Sequence, residues 1–296
     1  MGGELLRRLR DAGHEAVYAS TEAASLSRAL KSGPDVVLAA GGDGTVGAVA
    51  RLMAASTRDV PLAILPVGTA NNLARSLGVH GTVDEIVSGL DSEARRMLDV
   101  ATAKAPWGTV RFVESAGVGL FAAMLRDAER DEDVPAAAPG AERPDRGARF
   151  RRVLSRARPR HWRIDADGED LSGTYLLAAA MNIAYVGPGL ALAPAADAGD
   201  GYLDLLLVGE EDRETLGSYL SGFTHGEEGS LTIPTRRVKR ARLEWSAAQG
   251  HVDDHLWPEP PVDRGSSTST DNMAEIEAAG PPLPVLVPRA QNESRT

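Results

Sequence analysis

Hydrophobic residues in the first hundred positions follow two alternating periods. Apolar positions at helical spacing predict helices over 3–12, 21–31 and 46–55. Short apolar runs between these segments predict strands over 15–19, 36–40 and 62–65. Strands that alternate with helices in this way indicate a parallel sheet with helices on its faces. We therefore predict an α/β domain over residues 1–99.

The pattern becomes richer in strands after residue 98. Runs of apolar and β-branched residues predict strands over 110–113, 162–166, 174–180, 202–208, 238–245 and 284–288. This predicts a β-rich second domain over 100–280. Polar, low-complexity composition predicts flexible loops over 131–146 and 262–272 and a polar tail over 289–296.

Two glycine-rich segments follow the predicted strands of the first domain. The run 36–40 leads into Gly41-Gly42-Asp43-Gly44-Thr45, and 62–65 leads into Pro66-Val67-Gly68-Thr69-Ala70-Asn71-Asn72. A strand that turns on glycines into a helix directs backbone N–H groups and the positive helix end at one place, which suits a phosphate. Asp43 could hold a metal ion or orient the phosphates. The alternative is that the glycines serve only the geometry of the turn.

These two motifs together resemble the diacylglycerol kinase catalytic-domain superfamily, in particular its soluble bacterial lipid kinases of diacylglycerol or sphingosine kinase type. The resemblance covers about residues 5–288 and implies a nucleotide-binding domain followed by a β-sandwich domain. A C-terminal segment near 281–290 would return to complete the first domain. The resemblance also implies ATP and Mg²⁺ as cofactors, a homodimer, and a set of nucleotide contacts: Gly41, Gly42, Asp43, Gly44, Thr45, Gly68, Thr69 and Asn72.

A cluster of acidic residues marks a second candidate site. Asp197, Asp200 and Asp204 place three carboxylates within eight residues. A hairpin turn on Asp-Gly is one explanation. A cation held by oxygen ligands, magnesium or calcium, is the other. The resemblance implies a structural magnesium bound by Asp197, Asp200 and the backbone carbonyl of Tyr202.

The catalytic candidate is Val252-Asp253-Asp254-His255, where the family has Asp-Gly-Glu. The resemblance implies that Asp253 is the base that takes the proton from the lipid hydroxyl, while Asp254 and His255 depart from the family pattern. Period-two geometry would place His251, Asp253 and His255 on one face of a strand. A proton relay, a small metal cluster and a plain polar strand face are the three interpretations. Glycines in the segment 115–119 are predicted to serve close backbone packing.

Composition and charge limit the partners. The chain has 43% hydrophobic residues, 4% aromatic residues and no cysteine, which excludes disulfides and thiolate catalysis. No apolar run has the length of a membrane span and no signal peptide opens the chain, so we expect a cytoplasmic protein that contacts membranes peripherally. A formal net charge of −10 argues against nucleic acid as a partner.

Arginine is concentrated in one segment. Nine arginines and one acid, Asp145, lie between Arg143 and Arg163, with Phe150, Val153, Leu154 and Ala157 at helical spacing. A basic amphipathic helix of this kind lies either on an anionic membrane or on its own domain with a solvated face. A second basic run, 236–242, falls on a predicted strand.

Three functions are consistent with these patterns. The first is an ATP-dependent lipid kinase that phosphorylates a diacylglycerol-like or sphingoid lipid, with Asp43 organising magnesium. The second is a kinase with a soluble acceptor, similar to NAD kinases. The third is a catalytically silent lipid- or nucleotide-binding homologue, suggested by the altered residues Asp254 and His255. The given sequence starts just after the strand and Asn-Pro-x-Ser/Ala-Gly turn with which the family begins. Either the true start lies upstream, or the protein lacks this strand and part of its ATP pocket, which would also favour the third function.

Overall fold

The computed structural model describes residues 2–56, 60–91, 94–132, 146–224, 229–246, 249–258, 271–278 and 280–288. Most of the two predicted loops and the whole predicted tail, over 133–145, 259–270 and 289–296, lie outside the described residues. The chain divides into two compact units. The first comprises Met1–Val100, Ala198–Asp200 and Gly280–Thr296, and the second comprises Ala101–Asp197 and Gly201–Ala279.

The described residues form helices and strands that we number in chain order. The helices are α1 (Gly2–Asp11), α2 (Ala23–Lys31), α3 (Asp43–Ala54), α4 (Asn72–Ser76), α5 (Val83–Ser88), α6 (Leu120–Glu132), α7 (Arg146–Arg156) and α8 (Arg213–Thr224). The strands are β1 (Val37–Gly41), β2 (Leu62–Pro66), β3 (Arg95–Leu98), β4 (Ala101–Ala105), β5 (Gly108–Phe112), β6 (Ser115–Gly119), β7 (Arg160–Ala166), β8 (Glu169–Asp170), β9 (Gly173–Tyr175), β10 (Leu177–Met181), β11 (Tyr185–Val186), β12 (Leu190–Ala191), β13 (Leu203–Val208), β14 (Thr235–Val238), β15 (Arg240–Ser246), β16 (Gly250–Val252), β17 (His255–Trp257), β18 (Asp271–Glu277) and β19 (Leu283–Leu286).

The first unit is built on a sheet with the order β1-β2-β19-β3. Strands β1 and β2 run parallel, with Val37 opposite Leu62. The C-terminal strand β19 enters beside β2 in parallel and pairs antiparallel with β3. Its Val285 is fully buried. The first sheet therefore depends on residues from both ends of the chain.

Helix α3 shows why the apolar pattern of this unit produces a packed helix. Its residues Val46, Val49, Ala50 and Met53 are buried and follow the spacing of one helix face. That face contacts β1. The helix begins at Asp43, three residues earlier than predicted.

The predicted strand over 15–19 is wrong. The segment 14–20 forms no strand, and Val17 and Tyr18 are 84% and 72% exposed. In the described part of the chain no strand pairs with it, and a short β-prone segment without a neighbouring strand gains neither ladder hydrogen bonds nor burial.

The second unit contains two large sheets packed face to face. One has the order β14-β13-β10-β6-β16-β17, and the other has β5-β4-β18-β15-β7-β8, with β9 also pairing with β7. Their shared core joins Ala116, Ala178 and Leu205 of the first sheet to Ile164 and Leu243 of the second. The predicted fold class, an α/β nucleotide-binding-type domain followed by a β-sandwich-like domain, is confirmed.

Strand β10 shows how the six-stranded sheet is buried on both faces. Alternate residues Ala178 and Ala180 face the other sheet, whereas Leu177, Ala179 and Met181 belong to a second core with the helices α6, α7 and α8. A Cβ on Gly117 of the neighbouring β6 would lie 2.2 Å from the carbonyl oxygen of Ala178. The close-packing role predicted for this glycine is confirmed.

Candidate active site

The two glycine-rich turns lie at the carboxyl ends of neighbouring parallel strands. Gly41, at the end of β1, is in register with Pro66 at the end of β2. The N–H of Val67 donates to the carbonyl oxygen of Gly41 at 3.2 Å. The parallel pairing therefore brings the two motifs together at one edge of the sheet.

Glycine is required where the two turns touch. A Cβ on Gly68 would lie 2.3 Å from the Cα of Gly42, a distance that real Cβ atoms do not show. A Cβ on Gly41 would lie 2.4 Å from the Cβ of Thr45, whose side chain fills the space above the strand end. Gly44, Gly68 and Thr69 are exposed. Backbone groups of both turns are therefore accessible at the surface beside this contact.

The N-terminus of α3 has the properties of an anion site. Its N-cap is Gly42, with extended backbone and no side-chain cap hydrogen bond. The first N–H groups of a helix have no partner within the helix, and the helix dipole adds positive potential there. These donors lie beside Gly68 of the second turn, so the local structure fits a phosphate group.

Asp43 joins the two motifs. It is the first residue of α3, and its Oδ1 accepts a hydrogen bond from the N–H of Leu73 at 2.9 Å. Leu73 belongs to α4, which follows the second turn. The carboxylate therefore holds the start of one motif against the end of the other, and it carries negative charge beside the predicted phosphate site.

Asn71 is a site residue that the sequence analysis missed. It has the left-handed backbone conformation, with φ 52°, and its side chain closes the second turn. Its Oδ1 accepts from the N–H of Gly68 and its Nδ2 donates to the Gly68 carbonyl, both at 3.0 Å. Asparagine tolerates this backbone region, and that preference was the available signal. The predicted nucleotide ligand Asn72 is buried, with 2% exposure.

Asp253 lies in the tight hairpin that joins β16 and β17. Its Oδ1 accepts from the backbone N–H groups of Glu114 at 2.8 Å, Val113 at 3.1 Å and Ser115 at 3.4 Å. Its own N–H donates to the Ser115 carbonyl at 2.7 Å, and its φ is 49°. The side chain is therefore fixed by charge-assisted bonds to the β5–β6 connection. No side-chain pattern signals these backbone donors, which the sequence analysis could not find.

The predicted common strand face of His251, Asp253 and His255 is wrong. The chain turns at Asp253 and Asp254, so the period of a continuous strand does not apply. His251 is buried with its Nε2 3.2 Å from the Ser115 Oγ. Burial lowers the pKa of His251 to about 4, against a smaller opposing contribution from the Gly117 backbone. His255 is 60% exposed, and its Nε2 lies 3.2 Å from Asp254 Oδ1.

The three carboxylates that the sequence places within eight residues, Asp197, Asp200 and Asp204, were a candidate cation site. Asp204 is buried and accepts a hydrogen bond from the Thr235 hydroxyl at 2.6 Å, whereas Asp197 is exposed. Within the described residues no group of three or more His, Cys, Asp or Glu side chains could hold a metal ion. The magnesium site implied by the resemblance, Asp197, Asp200 and the Tyr202 carbonyl, uses only two of these carboxylates and stays a prediction.

Two family models match the chain. The diacylglycerol kinase catalytic domain matches residues 3–103, and the YegS C-terminal NAD kinase beta sandwich-like domain matches residues 146–253. A protein of Pseudomonas syringae pv. syringae named "probable lipid kinase YegS-like" is 31% identical over 241 residues, which are 79% of this chain and 72% of the relative. The chain belongs to the diacylglycerol kinase and YegS-like family of lipid kinases.

A further curated relative is similar in sequence, and two solved structures are similar in fold. A diacylglycerol kinase of Mycobacterium tuberculosis is 27% identical over 272 residues, which cover 89% of this chain and 80% of the relative. A diacylglycerol kinase structure from Bacillus anthracis has a TM-score of 0.65 at 20% identity and covers 97% of this chain and 92% of its own. An NAD kinase from Archaeoglobus fulgidus, solved in complex with ATP, has a TM-score of 0.51 at 12% identity. No helix of the described ranges has the length and apolar character needed to cross a membrane.

Proposed function

We propose that this protein is an ATP-dependent lipid kinase that transfers the γ-phosphate of ATP to a hydroxyl of a diacylglycerol-like or sphingoid lipid. The observation that carries the proposal is the contact between the two glycine-rich turns beside the α3 N-terminus, where Gly68 meets Gly42. Phosphoryl transfer depends chiefly on positioning and charge neutralisation, and open backbone N–H groups at a helix start supply both.

Asp43 is proposed to position the phosphates together with a magnesium ion. When bound, this ion would neutralise charge on the phosphate oxygens. The residue is suited to the task because its Oδ1 is already fixed by the Leu73 N–H, which sets the direction of the carboxylate. The other predicted nucleotide ligands belong to the same two turns.

Asp253 is proposed to accept the proton of the lipid hydroxyl. Its Oδ1 is committed to three backbone N–H groups, which fix the orientation of the carboxylate. Its Oδ2 makes a longer contact, 3.3 Å to the Val113 N–H, and is the oxygen that we assign to proton acceptance. His255, exposed beside Asp254, is proposed as an auxiliary group that passes the proton to solvent.

The test is transfer of label from γ-labelled ATP with magnesium to diacylglycerols and sphingoid bases in mixed micelles, with NAD as a soluble acceptor. We expect label in one lipid class. Label in NAD alone would move the protein to the NAD kinase type of activity, and absence of label in every acceptor would favour a catalytically silent homologue.

Asp43→Asn is the decisive variant for this test. Asparagine keeps an oxygen for the Leu73 N–H, so the fold should persist, whereas the charge is lost. We expect transfer to fall by at least about 100-fold, the order seen when a preorganised electrostatic group is removed. Full activity of a variant that melts like the wild type would refute the assignment of Asp43.

A further inference from the structure

The arginines of the basic region differ in how they are paired. Arg149 and Arg152 of α7 share the carboxylate of Asp127, with the Nε of Arg149 at 3.8 Å. Arg156, Arg158 and Arg160 are exposed, and among the described residues no carboxylate lies at ion-pair distance from them. We call these three residues the basic segment.

Further positive charge lies next to the basic segment. The pKa of Arg126 in α6 is lowered, first by burial and then by the charges of Arg130 and Arg160, with Glu129 opposing. Arg160 is therefore near enough to α6 to interact electrostatically with Arg126.

The apolar side of α7 is already occupied. Phe150, Val153 and Leu154 are buried in the core between the helices and the six-stranded sheet. Arg213 of α8 donates to the carbonyls of Leu154 and Ala157 at the end of α7, the latter at 2.8 Å. The described side chains of α7, from Arg149 onward, thus leave no apolar face to insert into a bilayer. The C-terminal end of the helix is held in place with the charged side outward.

We propose that the basic segment docks this protein on an anionic lipid bilayer by charge alone, without insertion of apolar side chains. This inference rests on the proposed function, because a lipid acceptor has to be reached at a membrane. A cationic surface attracts anionic lipid headgroups over about a Debye length, which is roughly 8 Å at physiological salt. Because the protein as a whole carries a charge of −10, an anionic bilayer repels it on average, so the attraction is confined to the surface formed by the basic segment.

The aromatic residues of the region favour lipid over nucleic acid. Phe150 and Trp162, which flank the basic segment in sequence, are 1% and 4% exposed. Single-stranded nucleic acid is held by a cationic groove together with exposed aromatic rings on which bases stack. The basic segment offers charge without such rings.

The second basic run provides a matched control. Arg236 pairs with Glu169, Arg240 with Glu275 at 3.6 Å, and Arg242 with Glu244 at 2.7 Å. These arginines are exposed as well, but each has a carboxylate beside it. Replacing these three arginines changes the net charge of the protein by the same amount as replacing the three arginines of the basic segment. It does not, however, remove a region of excess positive charge.

The experiment compares R156Q/R158Q/R160Q with R236Q/R240Q/R242Q in co-sedimentation with phosphatidylcholine vesicles that contain or lack phosphatidylglycerol. Each arginine near an anionic surface contributes roughly a fivefold effect, so the first variant should bind phosphatidylglycerol vesicles about 100-fold more weakly than the wild type. The second should bind like the wild type, and sodium chloride should release the wild type. Arg158→Gln alone should give about a fivefold loss if the triple variant melts early.

Three results would overturn the inference: wild-type binding by R156Q/R158Q/R160Q, an equal loss in the control variant, or equal wild-type binding to vesicles without phosphatidylglycerol. Displacement of the protein from vesicles by RNA at physiological salt would also overturn it in favour of a nucleic-acid surface. Kinase activity on short-chain lipid below its micelle concentration should be unchanged in the first variant. A wild type that phosphorylates no lipid would refute the proposed function, while the vesicle comparison would still decide the docking surface.

Discussion

At the level of single residues, the candidate functional residues of each unit lie where the backbone of one segment touches another segment of the same unit. Gly42 and Gly68 meet without side chains, Asn71 closes the second turn, and Asp253 is held by backbone N–H groups. All four residues are of types that commonly form turns. Only the contacts explain why each type is needed.

Gly68→Ala tests the contact between the turns. The new Cβ would lie 2.3 Å from the Cα of Gly42, so the two turns must separate. We expect a loss of about 1–3 kcal/mol in the free energy of unfolding and at least tenfold weaker ATP binding, measured by thermal melting and calorimetry. Gly229→Ala is the matched control, since a Cβ there meets nothing within 4 Å. Unchanged ATP affinity in Gly68→Ala would contradict the proposal that the two glycine-rich turns together bind the phosphates of ATP.

Asp253→Asn tests the proton acceptor. Asparagine can still accept the N–H groups of Val113 and Glu114 through its oxygen, but it cannot take a proton from an alcohol. We expect kcat to fall by about 10²- to 10⁴-fold with ATP affinity unchanged. His255→Gln should lower kcat only a few-fold, because His255 is exposed and contacts Asp254 at the surface. A larger effect of His255→Gln than of Asp253→Asn would reverse the assigned roles.

His251 should make the stability of the protein depend on pH. Burial lowers its pKa in the folded state to about 4, below the value of about 6.5 of an unfolded histidine. Between these values the unfolded chain binds more protons, so stability is highest above about pH 6.5 and falls towards pH 4, by about 3 kcal/mol at most. Urea unfolding at pH 7 and pH 5 should show a smaller difference in His251→Gln than in the wild type. His161→Gln, at an exposed position, should keep the wild-type difference.

At the scale of elements, the first sheet is completed by a strand from the other end of the chain. Strand β19 lies between β2 and β3, and its Val285 has no exposed surface. The segment 14–20, by contrast, has the composition of a strand but leaves Val17 exposed. Two valines in segments predicted to be strands therefore have opposite environments.

Val285→Ala and Val17→Ala test this difference with identical chemistry. Removal of two buried methyl groups from Val285 should lower the free energy of unfolding by about 2 kcal/mol. The same change at Val17, which is 84% exposed, should stay within about 0.5 kcal/mol. Chemical denaturation measures both. An equal loss at Val17 would show that residues 14–20 are packed as the sequence predicted.

At the level of the whole molecule, the net charge is negative, whereas the surface at the end of α7 is locally positive. The two sheets of the second unit share one core, and the helices cover the outer face of the six-stranded sheet. A protein with net charge −10 nevertheless carries exposed arginines at the end of α7 that, among the described residues, have no carboxylate at ion-pair distance. An acidic protein can therefore be attracted to an anionic membrane through one locally basic surface.

The fold class, the family and the two glycine-rich turns could be predicted from the sequence alone, because hydrophobic period and turn chemistry are local properties of short segments. Which of these segments meet depends on how the strands pair in the folded chain. The contact of Gly42 with Gly68, the N–H donors around Asp253 and the hydrogen bond of Asp204 with Thr235 all involve backbone positions set by strand pairing. The hairpin at Asp253 buried His251 and exposed His255, because two residues of turn reverse a strand that periodicity treated as continuous. These contacts depend on pairing between strands that are distant in sequence. Local patterns do not encode this pairing, so the sequence alone could not predict the contacts.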